Sequence, residues 1–183
     1  MEMQQGRRLA GGFTLLEMAT VLVVIGILAT LLLPAIENIR LRVEKVQCMS
    51  NLRNLYAAAS GYVQQNGHWP QIDTHLLATD KKAYAAAWIA ALQPMGLAPK
   101  NWICPTVQRT NNNPNYLQPN LARVDYIAMP FDNKESTPYR WPSQPWFVEN
   151  GDVHGNGNLI IFTDGSIREL NEVRTSPPPS SAQ

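Results

Sequence analysis

Glu17 is the one charged side chain between Gly11 and Ile36, in a stretch that reads GGFTLLEMATVLVVIGILATLLLPAI. From Phe13 to Ile36 the run is 24 residues long. At about 1.5 Å rise per residue, such a helix crosses a hydrocarbon core roughly 30 Å thick. A carboxylate inside that span costs about 2.5–3.5 kcal/mol on insertion scales, so its retention asks for a function. The plain alternative is a glutamate snorkelling at the end of an ordinary anchor.

A second set of chemically able residues lies near the other end, in His154-Gly-Asn-Gly-Asn-Leu-Ile-Ile-Phe-Thr-Asp164-Gly165. Asp152, Asn156, Asn158 and Asp164 bring oxygen donors to a glycine-rich loop, and calcium takes such donors. The spacing is not that of an EF-hand, because Thr163 stands where the bidentate glutamate belongs. A hairpin with turn-stabilising side chains is the competing reading. His154 is read as bonded to the turn at Asp164. Without a second histidine or cysteine close to it in sequence, zinc is not indicated. Cys48 and Cys104 are the two cysteines, and they are either a disulfide of an extracytoplasmic domain or two separate buried thiols. His68, Asp73 and His75 sit together without any nucleophile–base or phosphate-loop motif, so the chain is not read as an enzyme.

The elements that must carry these residues follow from periodicity. Pro34 removes one backbone donor and disturbs the helix without ending it. Beyond it Ile36, Ile39, Val43, Val46, Met49, Leu52, Tyr56, Ala59 and Val63 recur every three or four residues, widened by Cys48, Leu55 and Tyr62. Asn66-Gly67 and Pro70 close a helix of about 50 residues, near 75–80 Å at the usual rise. Residues 80–93, DKKAYAAAWIAALQ, form a second helix capped by Thr79 or Asp80 and ended by Pro94, with Tyr84, Ala87, Trp88, Ala91 and Leu92 on its apolar face. Residues 101–120 and 130–145 read as loops. Trp141 and Trp146 are expected over the core or at subunit contacts. Val124, Tyr126 and Ala128 alternate as a short strand. Leu159–Thr163 and Ser166–Leu170 make a hairpin turning at Asp164-Gly165, with glycine at positive φ.

The formal charge is +1 over 183 residues, and the segment before Phe13 holds two arginines and one glutamate. So neutral a chain has no electrostatic footprint for nucleic acid. The basic cluster Arg40, Arg42 and Lys45 is interleaved with Glu37 and Glu44, and reads as a solvated or headgroup-facing helix turn.

Gly12-Phe13-Thr14-Leu15-Leu16-Glu17 resembles the prepilin signature of type IV pilins and type II secretion pseudopilins. Small residues precede the apolar run here, the reverse of a secretory signal, so cutting at Gly12 keeps the helix. The resemblance implies a membrane peptidase that cuts after Gly12 and methylates Phe13, with Glu17 at the fifth mature position and Pro34 where the family commonly has proline. The new α-amino group has a pKa of about 7.7–8.0. Within one chain the first helical turn is expected to keep this amine from Glu17, whereas a neighbouring chain shifted along the axis brings its amine to the carboxylate. Two lone charges in an apolar medium then become one pair. The stretch His154 to Gly165 resembles a bacterial prepilin-like family defined by His, nine residues, then Asp-Gly. Cys48-Met-Ser-Asn-Leu-Arg, Gly67-His-Trp-Pro and Cys104-Pro105 agree with it. A calcium-bearing C-terminal loop is likewise a feature of the major secretion pseudopilins that this loop resembles.

The resulting expectation is an α+β, pilin-like fold: a long N-terminal helix, transmembrane in its first half, packed on a small C-terminal antiparallel sheet. It divides into a leader (1–12), a transmembrane and assembly helix (13–36), its amphipathic continuation (37–66), a globular head (67–174) and a disordered tail (175–183). The expected function is that of a structural subunit of a type IV pilus-like or secretion pseudopilus filament. Its expected partners are copies of itself, other pilin-like subunits, the prepilin peptidase, an inner-membrane assembly platform and, before assembly, lipid. Single-pass inner-membrane residence with an extracytoplasmic head, then a periplasmic or surface filament, goes with this. The alternative is a tethered extracytoplasmic binding module whose tryptophan-bearing loops hold a ligand such as a glycan.

Overall fold

The computed structural model describes residues 14–111 and 122–175; of residues 33–35 it describes the backbone alone. Gly12, Phe13 and most of the expected tail therefore lie outside the described residues. Helix α1, Leu15–Asn66, runs for 52 residues, passes through position 34 without a break and ends at Gly67, which adopts φ +70°. Among the described residues it is the one helix long and apolar enough to cross a membrane. The chain forms two compact units, one ending at Arg40 and one beginning at Leu41.

In the first unit α1 shows its apolar side chains to the outside: Leu15, Leu22, Val23, Leu31 and Ile39 are all exposed. In the second unit the same helix buries Cys48, Leu52, Leu55, Ala59 and Val63, a face spaced at four, three, four and four residues. The expected apolar stripe is thus split. Its later members are core, while Ile36, Ile39, Val43 and Val46 are exposed, because the head packs on α1 only from about Glu44 onward.

After a single helical turn, α2 (Leu76–Thr79), comes α3, Lys81–Leu92. Asp80 caps α3 by accepting from the amides of Lys82 and Ala83, as the sequence suggested. Its buried face is Tyr84, Ala85, Trp88 and Leu92, so Ala85 takes the place expected for Ala87 and Ala91. Helix α4, Pro105–Asn111, stands where a loop was expected; Pro105 opens it at a position where the missing N–H is no loss.

The sheet is antiparallel in the order β1 (Tyr126–Ala128), β2 (Pro145–Glu149), β3 (Leu159–Phe162), β4 (Ile167–Glu169). Strand β2 is new relative to the sequence reading, which ended a loop at Pro145 and assigned nothing after it. In register, Tyr126 faces Glu149, Val148 faces Ile160 and Leu159 faces Glu169. Aromatic rings fill the layer between α1, α3 and the sheet. Trp69 lies edge-on to Trp88, Phe131 and Trp146 at centroid distances of 6.0, 5.0 and 5.1 Å, and Trp102 meets Phe147 at 6.0 Å. Trp146 is core, whereas Trp141 is exposed. Helix α1 is tied to the sheet by Tyr56, whose hydroxyl donates to the Thr163 carbonyl at 2.8 Å and whose ring stacks on Trp146, and by an ion pair between Lys45 and Glu169. A long helix on a small four-stranded antiparallel sheet is the expected α+β, pilin-like arrangement.

Candidate functional site

Two places among the described residues bring reactive groups to defined positions. The first is the opening turn of α1. Thr14 Oγ1 accepts from the Glu17 amide at 3.2 Å, and the Glu17 carboxylate reaches back to the Thr14 amide at 3.5 Å. This reciprocal pair is a capping box, and it satisfies two donors that the helix end leaves open. The sequence reading placed Glu17 out of reach of its own chain terminus. Phe13 lies outside the described residues; the carboxylate meets the amide of the next residue, Thr14. The negative charge also lies at the positive end of the helix dipole.

The second place is inside the head. Four residues from four elements meet there: Cys48 from α1, Cys104 just before α4, Glu149 at the end of β2, and His154 in the β2–β3 loop. Their ligand atoms all lie within 4.8 Å of one another. Both cysteines are free thiols with sulfurs 2.7 Å apart. Cys104 Sγ is 3.8 Å from His154 Nε2, and that same nitrogen is 3.3 Å from Glu149 Oε1. Both cysteines are fully buried, Glu149 is 1% exposed, and its Oε1 accepts no well-aligned hydrogen bond.

Local chemistry holds the four in place. Asp125 Oδ2 accepts from the Cys104 amide at 2.8 Å, and Arg123 braces that carboxylate. Asn158 donates to the Glu149 carbonyl and Asn51 to the Ile103 carbonyl, fixing the backbone on either side. Burial alone would lower the His154 pKa, but Cys104 and the Glu149 carboxylate outweigh it and raise it from 6.5 to about 9. The Cys104 thiol is brought down to about 6, first by its contact with Cys48 and further by His154, against the effect of burial. Cys48 moves up, pushed by the Cys104 contact and then by burial.

His154 therefore lies against Glu149 and Cys104, not against the turn at Asp164 as expected. The turn is closed by Asp164 itself, whose Oδ1 accepts from the Ser166 amide while Gly165 adopts φ +76°. The four oxygen donors considered for calcium do not share one place. Asp152 accepts from the Gly155 amide in the β2–β3 loop, Asn156 and Asn158 follow in that loop, and Asp164 lies at the far end of β3. Sequence reading missed Glu149 altogether. The signal was present: once 145–149 is a strand, alternation puts Phe147 and Glu149 on one side and sends a carboxylate inward.

Type II secretion system core protein G of Aeromonas hydrophila is similar to this chain, 28% identical over 133 residues that cover 72% of the chain and 90% of that protein. This similarity supports the pilin and pseudopilin family. No family model matches the chain, and neither does any solved structure.

Proposed function

We propose that this chain is a structural subunit of a type II secretion pseudopilus or a type IV pilus-like filament. The observation that carries the reading is the first half of α1: an uncovered apolar helix surface headed by a carboxylate already turned toward the N-terminus. In the bilayer, lipid covers that surface; in a filament, the same surface of neighbouring subunits does. Similarity to a type II secretion system core protein supports this reading.

On this reading the prepilin peptidase cuts after Gly12 and methylates Phe13. The helix of residues 13–36 holds the subunit in the inner membrane with its head outside the cytoplasm, and an inner-membrane platform moves it into the filament. Glu17 then gives up its own capping contact and accepts the cationic amine of a neighbour. Pro34 lets the helix yield locally during that transfer.

Two variants separate charge from capping. Glutamine serves in a capping box as well as glutamate does. Glu17→Gln therefore keeps the helix end and removes the charge, while Glu17→Ala removes both. Both variants are expected to be cut and inserted normally yet to form no filaments; filaments from Glu17→Gln at wild-type level would sink the charge-pairing role. Gly12→Val is expected to leave the leader uncut, read directly as the intact mass of the membrane protein.

A further inference from the structure

We propose that Cys48, Cys104, His154 and Glu149 form a structural zinc site that joins α1, α4 and the sheet at the centre of the head. The inference stands on the head's geometry and is independent of the filament reading.

The decisive feature is convergence. In a catalytic relay a histidine uses its two nitrogens for two partners. Here Cys104 and Glu149 both approach Nε2, at 3.8 and 3.3 Å. Groups that close on one point from different elements are disposed as ligands of a common centre. Full burial of Cys104 also denies any substrate access to a thiolate there.

Distances agree with a four-coordinate ion. Tetrahedral zinc with bonds of about 2.0–2.3 Å sets its ligand atoms roughly 3.4–3.8 Å apart. The sulfur–nitrogen and nitrogen–oxygen separations already lie near those values. The two sulfurs, at 2.7 Å, must part by about 1 Å to admit the ion. Two thiolates with an imidazole and a carboxylate are a donor set suited to zinc, and the sulfurs exclude calcium and magnesium.

Glu149 supplies the second observation. A carboxylate 1% exposed is costly to bury, and His154 Nε2 at 3.3 Å is only a poorly aligned partner for its Oε1. A disulfide between Cys48 and Cys104 would use two of the four groups and leave that carboxylate as it is. A divalent ion uses all four. Asp125, which holds the Cys104 amide, and Asn158, which holds the Glu149 carbonyl, are the outer supports such a site needs.

The test begins with the full chain isolated from membranes with its free thiols blocked at lysis. Elemental analysis and peptide mapping are expected to find one zinc per chain and no Cys48–Cys104 disulfide. A disulfide-linked Cys48–Cys104 peptide overturns the proposal, and so do two reduced thiols without metal. Cobalt(II) exchanged into the wild-type chain is expected to show a thiolate-to-cobalt charge-transfer band; zinc present without that band places the ion elsewhere and also overturns it. Asp125→Asn keeps all four ligands and is expected to weaken zinc roughly ten- to a hundredfold, as loss of an outer support does.

Discussion

One helix behaves in two ways along its length. From Leu15 to Leu32 and from Ile36 to about Val43 its apolar side chains are exposed, whereas from Cys48 to Val63 a face of similar composition is sealed under the head. Apolar content therefore does not decide burial; the presence of a covering layer does. The second half has Trp69, Trp146 and Phe147 against it. The first half has its cover supplied from outside the chain, by lipid or by other subunits on the filament reading. Large exposed apolar surfaces are rare on proteins that work alone.

A matched pair of substitutions tests this difference most directly. Leu55→Ala opens a cavity under the sheet and is expected to cost about 2–5 kcal/mol of head stability. Leu28→Ala, on the exposed half, is expected to change that stability by less than about 0.5 kcal/mol. Chemical denaturation of the detergent-solubilised chain, followed by tryptophan fluorescence, reads both. Equal losses would erase the distinction between the halves. A smaller effect belongs to the cap of α3. Asp80→Ala is expected to cost about 1 kcal/mol, since two amides lose their acceptor, and filament yield should follow that loss only near the unfolding threshold.

The smallest expected effect lies at the hairpin, and its sign follows from Asp164. Burial pushes the Asp164 pKa up, but the Ser166 hydroxyl and amide outweigh it and hold the carboxyl below 3.8. A carboxyl depressed on folding adds stability above its ordinary pKa and loses it as pH falls through the folded value. Acid unfolding of wild-type chain is expected to steepen below pH 3.8, and Asp164→Asn to flatten that limb. An unchanged acid limb would show that the turn contributes nothing through this carboxyl.

Much of the architecture was legible because it is local. The helical span of α1, the Asp80 cap and the Asp164-Gly165 turn are short-range signals, and each stands where it was expected, although only the later part of the α1 stripe is core. Helix α4 was hidden because Asn and Pro dominate residues 101–120, although Pro105 is a sound first helical residue. Strand β2 was hidden because Trp146-Phe147-Val148 is too short a run to show its period. The four-residue cluster was illegible for a different reason. Its members are spread over positions 48, 104, 149 and 154, and only the packing of α1, α4 and β2 brings them together. Reading His154 against its sequence neighbours led to Asp164, whereas the fold gives it Glu149 and Cys104.

The capping box at Thr14 and Glu17 bears on reversibility. On the filament reading, a carboxylate that already holds the Thr14 amide makes entry into a filament an exchange of one donor for another, an amide for an amine. The exchange favours the filament, because the amine cancels the carboxylate's charge and the neutral amide does not, while withdrawal returns the subunit to lipid with its helix end closed again. On that reading a withdrawn subunit is spared an open helix end, because Thr14 and Glu17 close it within one chain.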